Sequence, residues 1–286
     1  MKIVVFGGAG FLGSYVVSEL IKRGHKVTVA DLTHQTTEAA FKKCDVVNEK
    51  QVESVFTEAY DVVYNFAGFS SLDLANQFPK KVLELNVMGN TNILDQIKDK
   101  PIKRFVFASS AYAMSTKGTF YGISKLTSEK IIEEYAKTTK LPFTILRYGS
   151  VYSEKNFSNN YIYKLIEEAI KTKKITHQGD GSELREYIHA ADAASLSCDI
   201  LEDESHNGAN YIVTGNSKIK RIDLFHTIDE ILGNKLEIKC LDNAYENHYK
   251  LTPYSFQPTT CKKLTPNPHI ELGQGLLRCI QEISNE

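Results

Sequence analysis

Apolar and polar positions in the first half of the chain follow two alternating patterns, one typical of strands and one typical of helices. Short apolar runs with many β-branched residues predict buried strands at residues 2–6, 26–30, 61–68, 103–109 and 143–147. Apolar residues at helical spacing predict helices after residue 13 and at 82–98 and 121–137. Because strands alternate with helices, we expect right-handed βαβ units and a parallel sheet with helices on both faces.

The second half of the chain follows a looser pattern. Helices are predicted near 160–173, 191–202 and 221–232, and a strand at 210–213. The last ~45 residues hold four of the seven prolines and predict a small, irregular region. We therefore expect an α/β fold. A Rossmann-like, doubly wound parallel sheet would occupy residues 1–150 with some return segments from 175–215, and a smaller C-terminal α+β substrate lobe would occupy residues 151–286.

Length and composition narrow the class of protein. The chain has 286 residues, enough for one large core or two lobes. Its net charge of -1 favours neither nucleic acid nor an anionic membrane as a partner. The first apolar run is too short for a secretory signal, and no run reaches the length of a membrane span. The 5 cysteines lack a C-x-x-C pair, so we expect no metal site and reduced thiols in a cytoplasmic protein.

A glycine-rich turn between the first strand and the first helix is the first candidate for chemistry. Gly7, Gly10 and Gly13 give the spacing G-x-x-G-x-x-G, and Gly8 with the last two gives G-x-G-x-x-G. Glycine lets the backbone approach a pyrophosphate, and the start of a helix offers N–H groups and partial positive charge. The turn is therefore predicted to hold a dinucleotide, with a purely structural turn as the alternative.

An acidic residue follows the glycines at the distance that a dinucleotide site requires. The second strand ends at Asp31, roughly 20 residues further on. A carboxylate there accepts hydrogen bonds from a ribose diol and repels a 2′-phosphate. No arginine follows Asp31, since the next residues are Leu32, Thr33 and His34. The pattern therefore favours NAD over NADP as the cofactor.

A tyrosine and a lysine four residues apart form the candidate catalytic pair. On a helix, Tyr121 and Lys125 share one face within side-chain reach. Tyrosine is a poor base at neutral pH because its ordinary pKa is about 10. A nearby ammonium and a positive nicotinamide ring both favour the phenolate and lower that pKa. Tyr121 is thus predicted to take a proton from a substrate hydroxyl while hydride leaves the same carbon.

A third group should donate a hydrogen bond to the substrate oxygen. Ser109 and Ser110 end the preceding strand, where ligands bind in sheets of this kind. We favour Ser110. The alternative is that both serines make only local turn hydrogen bonds.

A series of short motifs in one fixed order resembles the extended short-chain dehydrogenase/reductase family, in its branch of NAD-dependent nucleotide-sugar epimerases and dehydratases. The resemblance runs from residue 1 to about 215. The motifs lie at 7–13, 31, 44–46, 65–68, 86–89, 109–110, 121–125, 146–152, 179–182, 185–189 and 210–215.

The resemblance implies roles for individual residues. Ser110, Tyr121 and Lys125 would be catalytic, while Ser150 and Arg185 would bind a nucleotide-diphosphate sugar, Arg185 at its diphosphate. It also implies a homodimer in which the helices near 82–98 and 121–137 pair across a two-fold axis. The implied NAD-binding residues are Gly7, Gly10, Phe11, Leu12, Gly13, Asp31, Leu32, Asp45, Val46, Phe66, Ala67, Gly68, Asn86, Tyr121, Lys125 and Tyr148.

Several positions depart from the family pattern and bear on the substrate. Only ten residues separate Ser110 from Tyr121, so the loop over the sugar is short. Ser150 replaces the family's substrate-contacting asparagine, residues 153–154 replace its Gly-Pro, and no arginine lies between residues 221 and 278.

The reaction is narrowed by the residues beside Ser110. The 4,6-dehydratases of the family carry an Asp-Glu pair there, whereas this chain has Ala111 and Tyr112. We therefore expect a nucleotide-sugar 4-epimerase that acts through a transient 4-keto intermediate. The alternatives are a net nucleotide-sugar dehydrogenase or ketoreductase, a 4,6-dehydratase, and a non-catalytic NAD(H)-binding sensor. His189 is expected to be a core or capping residue.

Overall fold

The computed structural model describes residues 1–34, 37–241, 250 and 262–285. The strands in this part of the chain are β1 (Lys2–Phe6), β2 (Lys26–Asp31), β3 (Ala40–Lys43), β4 (Val62–Asn65), β5 (Arg104–Ser110), β6 (Phe143–Tyr148), β7 (Ser150–Tyr152), β8 (Lys174–Gln178), β9 (Leu184–Arg185), β10 (Tyr187–His189), β11 (Ala209–Val213), β12 (Ile219–Lys220), β13 (Glu237–Leu241) and β14 (Lys262–Leu264).

The α-helices are α1 (Phe11–Lys22), α2 (Glu49–Val55), α3 (Leu72–Ala75), α4 (Pro79–Leu83), α5 (Gly89–Ile97), α6 (Thr119–Thr139), α7 (Tyr161–Thr172), α8 (Ala190–Asp199), α9 (Arg221–Ile231) and α10 (Leu272–Asn285). A π-helical segment, Glu84–Met88, joins α4 to α5, and 3₁₀ turns lie at Ala111–Met114 and Glu204–His206. None of the helices within the described ranges is both long and apolar enough to cross a membrane.

Eight strands form one parallel sheet in the order β3-β2-β1-β4-β5-β6-β11-β14. The strand order reverses between β1 and β4. Phe6 is in register with Ala30 of β2 and with Asn65 of β4, so all three strands end at the same edge. Ligands bind beyond the carboxyl ends of strands at such a reversal. The predicted doubly wound parallel sheet is confirmed.

Both faces of this sheet are buried, which explains why its strands are continuous apolar runs. Along β1, Ile3 and Val5 pack into one core with α1 and α8. Val4 and Phe6 point the other way, into a second core with α2 and α5. The alternation follows from the two-residue period of a strand.

A third core lies in the second half of the chain. It is built mainly from α7, α9 and α10 and includes Tyr152, Ile166, Phe225 and Leu276. The smaller strand pairs are β7 with β10, β8 with β13 and β9 with β12. In contrast, α8 and β11 return to the large sheet, where α8 packs on α1 and β11 pairs with β6.

The C-terminal region is more regular than its prolines predict. Helix α10 buries Gly275, Leu276, Cys279 and Ile280 on one face, with the spacing of an amphipathic helix. Strand β14 adds to the large sheet beside β11, which the short run Lys262–Leu264 did not indicate. The expectation of an irregular region is wrong for residues 262–264 and 272–285, whereas residues 265–271, with two of the prolines, have no helix or strand. For residues 242–249 and 251–261 it lies outside the described residues.

Candidate active site

The glycine-rich turn brings three backbone segments into close contact. Gly7 has a φ of 73°, a conformation that side chains rarely adopt. Its carbonyl oxygen accepts a hydrogen bond from Gly10 N at 3.1 Å. A Cβ on Gly13 would collide with that same carbonyl oxygen. Because α1 begins at Phe11, the turn leads directly into a helix start whose N–H groups can bind an anion.

The carboxylate of Asp31 is held at the end of β2 against this turn. Asp31 Oδ2 accepts a hydrogen bond from Ala9 N at 2.9 Å, and Oδ1 accepts one from Leu32 N at 2.7 Å. The carboxylate lines a cavity of about 270 Å³ beyond the strand ends. The other residues around it are Gly7, Ala9, Gly10, Ala30, Leu32, Thr33, Cys44, Asp45, Val46, Phe66, Ala67, Gly68 and Leu85.

The turn at Asp45 and Val46 closes this cavity and is itself fixed by side chains. Gln51 accepts a hydrogen bond from Asp45 N at 2.8 Å. Asn92 donates one to the carbonyl oxygen of Val46 at 2.9 Å. The structure therefore gathers the residues expected to bind the adenosine half of NAD around one cavity.

A second cavity of about 270 Å³ shares Gly7, Gly10, Phe66 and Gly68 with the first. The two together make one elongated cleft across the glycine turn, as a dinucleotide requires. The remaining residues around the second cavity are Phe11, Leu12, Gly13, Ser70, Ala108, Ser109, Ser110, Tyr121, Tyr148, Gly149, Val151 and Asn159.

Asn86 shapes the wall of the cleft from within the π-helical segment. Its Oδ1 accepts a hydrogen bond from Phe69 N at 2.6 Å. Its Nδ2 donates to Phe69 O at 3.1 Å and to Ser124 Oγ at 2.8 Å. The side chain is buried, and its amide fastens the backbone after Gly68 to helix α6. Asn86 belongs to the π-helical segment, and π-helical turns are frequent at functional sites.

Ser110 and Tyr121 meet at the second cavity. Burial raises the pKa of Tyr121, and a hydrogen bond from Ser110 to the phenolate acts in the opposite direction. Ser110 Oγ also accepts a hydrogen bond from Tyr112 N at 3.2 Å, which starts the 3₁₀ turn. The Tyr112 ring lies edge-on to Tyr121 with centroids 6.4 Å apart. The short loop after Ser110 thus covers the tyrosine with an aromatic ring.

Lys125 lies behind Tyr121 on the same face of α6. Its Nζ donates a hydrogen bond to Ala108 O at 2.8 Å and lies 6.0 Å from the centroid of the Tyr121 ring. Burial lowers the pKa of Lys125 to about 8, and the charge of Glu129 opposes that shift. Lys125 therefore remains mostly protonated at neutral pH, as the stabilisation of a phenolate requires.

The structure adds a buried ion pair beneath Lys125 that we did not predict. Glu129 and Arg147 form it, with Ser109 as a third member. A signal was present, because Glu129 continues the four-residue spacing of Tyr121 and Lys125 on one helix face. Its partner on β6 is distant in sequence and could not be inferred. Ser70 and Asn159, at the second cavity, were also missed.

The two candidate substrate residues lie apart from the lining of the two cavities. Ser150, on β7, is half-buried. Its neighbours in the chain, Gly149 and Val151, line the second cavity, whereas Ser150 does not. Arg185, on β9, is buried, and its Nη1 donates to Leu184 O at 2.8 Å. His189 caps α8 through Nδ1, which accepts from Ala191 N at 3.3 Å, as expected.

Comparisons with known proteins agree with this geometry. Residues 3–213 match the model of the NAD dependent epimerase/dehydratase family. The chain is 26% identical to a putative UDP-glucose 4-epimerase of Methanocaldococcus jannaschii, over 99% of this chain and 98% of that protein. It is 30% identical to a UDP-glucose 4-epimerase of Erwinia amylovora, over 68% of this chain and 71% of that protein.

A solved structure shows the same fold. The UDP-glucuronic acid 4-epimerase of Bacillus cereus, in complex with UDP-glucuronic acid and NAD, superposes with a TM-score of 0.86 at 21% identity. The match covers 100% of this chain and 99% of that chain. The chain belongs to the NAD-dependent epimerase/dehydratase family. The expected family, the enzymatic class and the NAD cofactor are confirmed.

Proposed function

We propose that the protein is a nucleotide-sugar 4-epimerase in which Tyr121 is the base. The observation that carries this is that Ser110 and Tyr121 line one cavity of the dinucleotide cleft, with Lys125 Nζ behind them, 6.0 Å from the centroid of the Tyr121 ring. The relatives named above are UDP-sugar 4-epimerases, which supports a nucleotide-sugar substrate.

The side chains of the cleft have distinct roles in this reaction. Gly7, Gly10 and Gly13 would hold the NAD pyrophosphate, and Asp31 its adenosine ribose. When bound, NAD would supply the acceptor, and then the donor, of the hydride from the sugar carbon. Tyr121 takes the proton of the sugar hydroxyl. It returns the proton after the keto-sugar has rotated to present its other face.

Ser110 and Lys125 support that proton transfer. Ser110 donates a hydrogen bond to the reacting oxygen and holds it beside Tyr121. The charge of Lys125 stabilises the phenolate. Groups placed in this way typically accelerate proton transfer by about 10²–10⁴-fold.

Ser150 and Arg185 are proposed substrate residues outside this cluster. Arg185 presents a planar guanidinium, whose donors suit the diphosphate of the substrate. Ser150 is proposed to contact the sugar. The cofactor contacts of Phe11, Leu12 and Tyr148 are proposed on their position at the second cavity.

A homodimer forms through the helices beside the active site in this proposal. Phe120, Ile123 and Leu126 of α6 are exposed apolar residues at three-residue spacing. Leu83 and Met88 are exposed on the neighbouring helical segment, which packs against α6. Two copies would bury these side chains in a four-helix bundle.

Domain boundaries and location complete the proposal. Residues 1–150, with the return segments, form the NAD-binding domain, and residues 151–286 form the substrate lobe. The enzyme works in the cytoplasm, where Cys44, Cys198 and Cys279 stay reduced within the cores that bury them.

Incubation with NAD and a panel of nucleotide sugars tests the activity. We expect conversion to the 4-epimer, seen by NMR of the sugar, without net formation of NADH. Stoichiometric NADH would instead identify a net dehydrogenase. Tyr121→Phe should abolish turnover and leave NAD binding intact. Tyr135→Phe, on the same helix and bonded to Asp95, should change neither turnover nor NAD binding. Activity in Tyr121→Phe would refute the assignment of Tyr121 as the base.

A further inference from the structure

A carboxylate is buried one helical turn beyond the active-site lysine. Tyr121, Lys125 and Glu129 follow one another at four-residue spacing on α6 and so share one face. Glu129 is 0% exposed. Because the side chain touches neither cavity of the cleft, the roles assigned to substrate and cofactor contacts leave it unexplained.

Both oxygens of this carboxylate have specific partners. Arg147 Nε donates to Oε1 at 2.9 Å, and Arg147 Nη2 donates to Oε2 at 2.7 Å. Ser109 Oγ donates to Oε1 at 2.5 Å. A two-pronged pair of this kind fixes direction as well as distance. Glu129 therefore ties α6 to the ends of β5 and β6.

The tied strand end carries the other active-site groups. Ser109 lies between Ala108, whose carbonyl oxygen accepts from Lys125, and Ser110, which bonds to Tyr121. In the sheet, Ser109 is in register with Arg147. Holding Ser109 against Glu129 thus sets the position of β5 relative to Tyr121 and Lys125.

The negative charge of Glu129 also acts on Lys125. The charged or titratable groups that face Lys125 are Tyr121 and Glu129 on its own helix, with Arg147 of β6 behind Glu129. Strand β5 faces it with the ring of Phe107, and Gly68 approaches it from the loop after β4. Glu129 is the anion among them and favours the ammonium form of Lys125.

Stability alone does not account for the arrangement. A buried ion pair contributes little net stability compared with apolar side chains of similar size. A pair that fixes geometry and charge beside a reacting group has a reason to be kept in the core.

We propose that Glu129 is a positioning residue of this active site: held by Arg147, it fixes Ser109 and keeps Lys125 protonated behind Tyr121. This role rests on the function proposed above. Glu129 acts through Lys125 and β5 and does not touch the reacting atoms.

The pH dependence of turnover in Glu129→Gln tests the electrostatic part. Loss of the negative charge should lower the pKa of Lys125 by about one unit. The alkaline limb of the kcat profile should move to lower pH by the same amount. On the alkaline limb, above both pKa values, we expect kcat to fall about 10-fold while KM for the sugar stays within about 2-fold, because no substrate contact is lost. The control is Glu133→Gln, one turn further on and paired with exposed Lys130.

A second variant guards against misfolding, since Glu129→Gln leaves the Arg147 charge buried without its anion. Glu129→Gln combined with Arg147→Gln removes both charges and keeps hydrogen-bonding groups in place. The double variant should fold and still titrate Lys125 at lower pH than the wild type. An unchanged titration of Lys125 in a folded double variant would overturn the electrostatic role.

A direct titration separates this role from the proposed reaction. With ¹³C at the lysine Cε, NMR follows the pKa of Lys125 in the NAD-bound protein without any sugar, and Lys125→Met assigns the signal. A lower pKa in the Gln variants supports the role even if no nucleotide sugar is converted, which would refute the epimerase alone. Equal pKa values with normal conversion would refute the role and leave the epimerase intact.

Discussion

The carboxylate of Asp31 and the backbone nitrogen of Ala9 are joined by a hydrogen bond of 2.9 Å. This bond connects the end of β2 to the glycine-rich turn. The second oxygen of Asp31 is directed by Leu32 N at 2.7 Å. The carboxylate is therefore oriented by the protein before a ribose arrives, so little ordering is left for binding.

Asp31→Asn should weaken NAD and relax the choice of cofactor. The amide accepts poorer hydrogen bonds from the ribose diol, and a charged bond of this kind contributes about 1.5–3 kcal/mol. We expect the Kd for NAD to rise about 10-fold or more and the Kd for NADP to fall, since the repulsion of the 2′-phosphate is gone. Calorimetric titration measures both, with exposed Asp99→Asn as control. Unaltered preference for NAD would show that Asp31 does not select the cofactor.

Gly13→Ala should damage the glycine turn itself. An added Cβ would collide with the carbonyl oxygen of Gly7, whose backbone has little room to move. Such overpacking costs about 1–3 kcal/mol. We expect that loss in urea unfolding, together with weaker NAD binding. Gly273→Ala, where a Cβ meets nothing within 4 Å, is the matched control. If both variants bind NAD equally, close approach at Gly13 is unimportant.

The fold could be predicted from the sequence because its determinants are local. The continuous apolar run in Lys2–Phe6, the helical spacing after Gly13 and the acidic residue at the next strand end each depend on a few neighbouring residues. The sheet order then follows from the βαβ connections. The same local logic found Tyr121 and Lys125, whose spacing matches one helical turn.

The rest of the site depends on contacts between distant segments. Successive side chains on a strand point to opposite sides, so only the packing of α6 shows that Ser109 faces Glu129 while Ser110 faces Tyr121. Arg147 lies in the motif at 146–152. Its pairing with Glu129 depends on how β5, β6 and α6 pack together, which the sequence does not show. The burial of Arg185 on β9 likewise depends on the packing of the second half of the chain and could not be inferred from its motif.

Lys125→Met should stabilise the fold and abolish activity. Burial lowers the pKa of Lys125 to about 8 from an ordinary value near 10.4, so the folded state holds its proton less tightly. That penalty is complete below pH 8 and disappears as pH rises through about 10.4. Removing the charge should add about 1–3 kcal/mol at pH 7, less the lost bond to Ala108. Urea unfolding at pH 7 and 10 measures this gain in the free energy of unfolding, with exposed Lys130→Met as the control. A destabilised Lys125→Met would contradict this.

Glu154→Gln should lower stability at neutral pH and flatten its acid dependence. The hydrogen bond from His189 at 2.8 Å lowers the pKa of Glu154 to about 2. A carboxyl whose pKa is lower in the folded state stabilises the fold above about pH 5 and loses that effect as pH falls towards 2. We expect a loss of about 1–2 kcal/mol at pH 7 and a smaller difference from wild type at pH 3. Exposed Glu202→Gln should be as stable as the wild type at both pH values. A stability difference between Glu154→Gln and the wild type that grows at pH 3 would contradict the lowered pKa of Glu154.

Ile123→Glu should separate the proposed dimer. Ile123 is 57% exposed and lies between Phe120 and Leu126 on the apolar face of α6, which packs against the π-helical segment that carries exposed Met88. In a two-fold interface the same residue enters from both copies, so one substitution places two carboxylates in an apolar environment. The cost of burying such charges without partners exceeds what a helical interface tolerates. Sedimentation should show a dimer for the wild type and a monomer for Ile123→Glu, with unchanged circular dichroism. Leu277→Glu, on the exposed face of α10, should remain a dimer, and a dimeric Ile123→Glu would place the interface elsewhere.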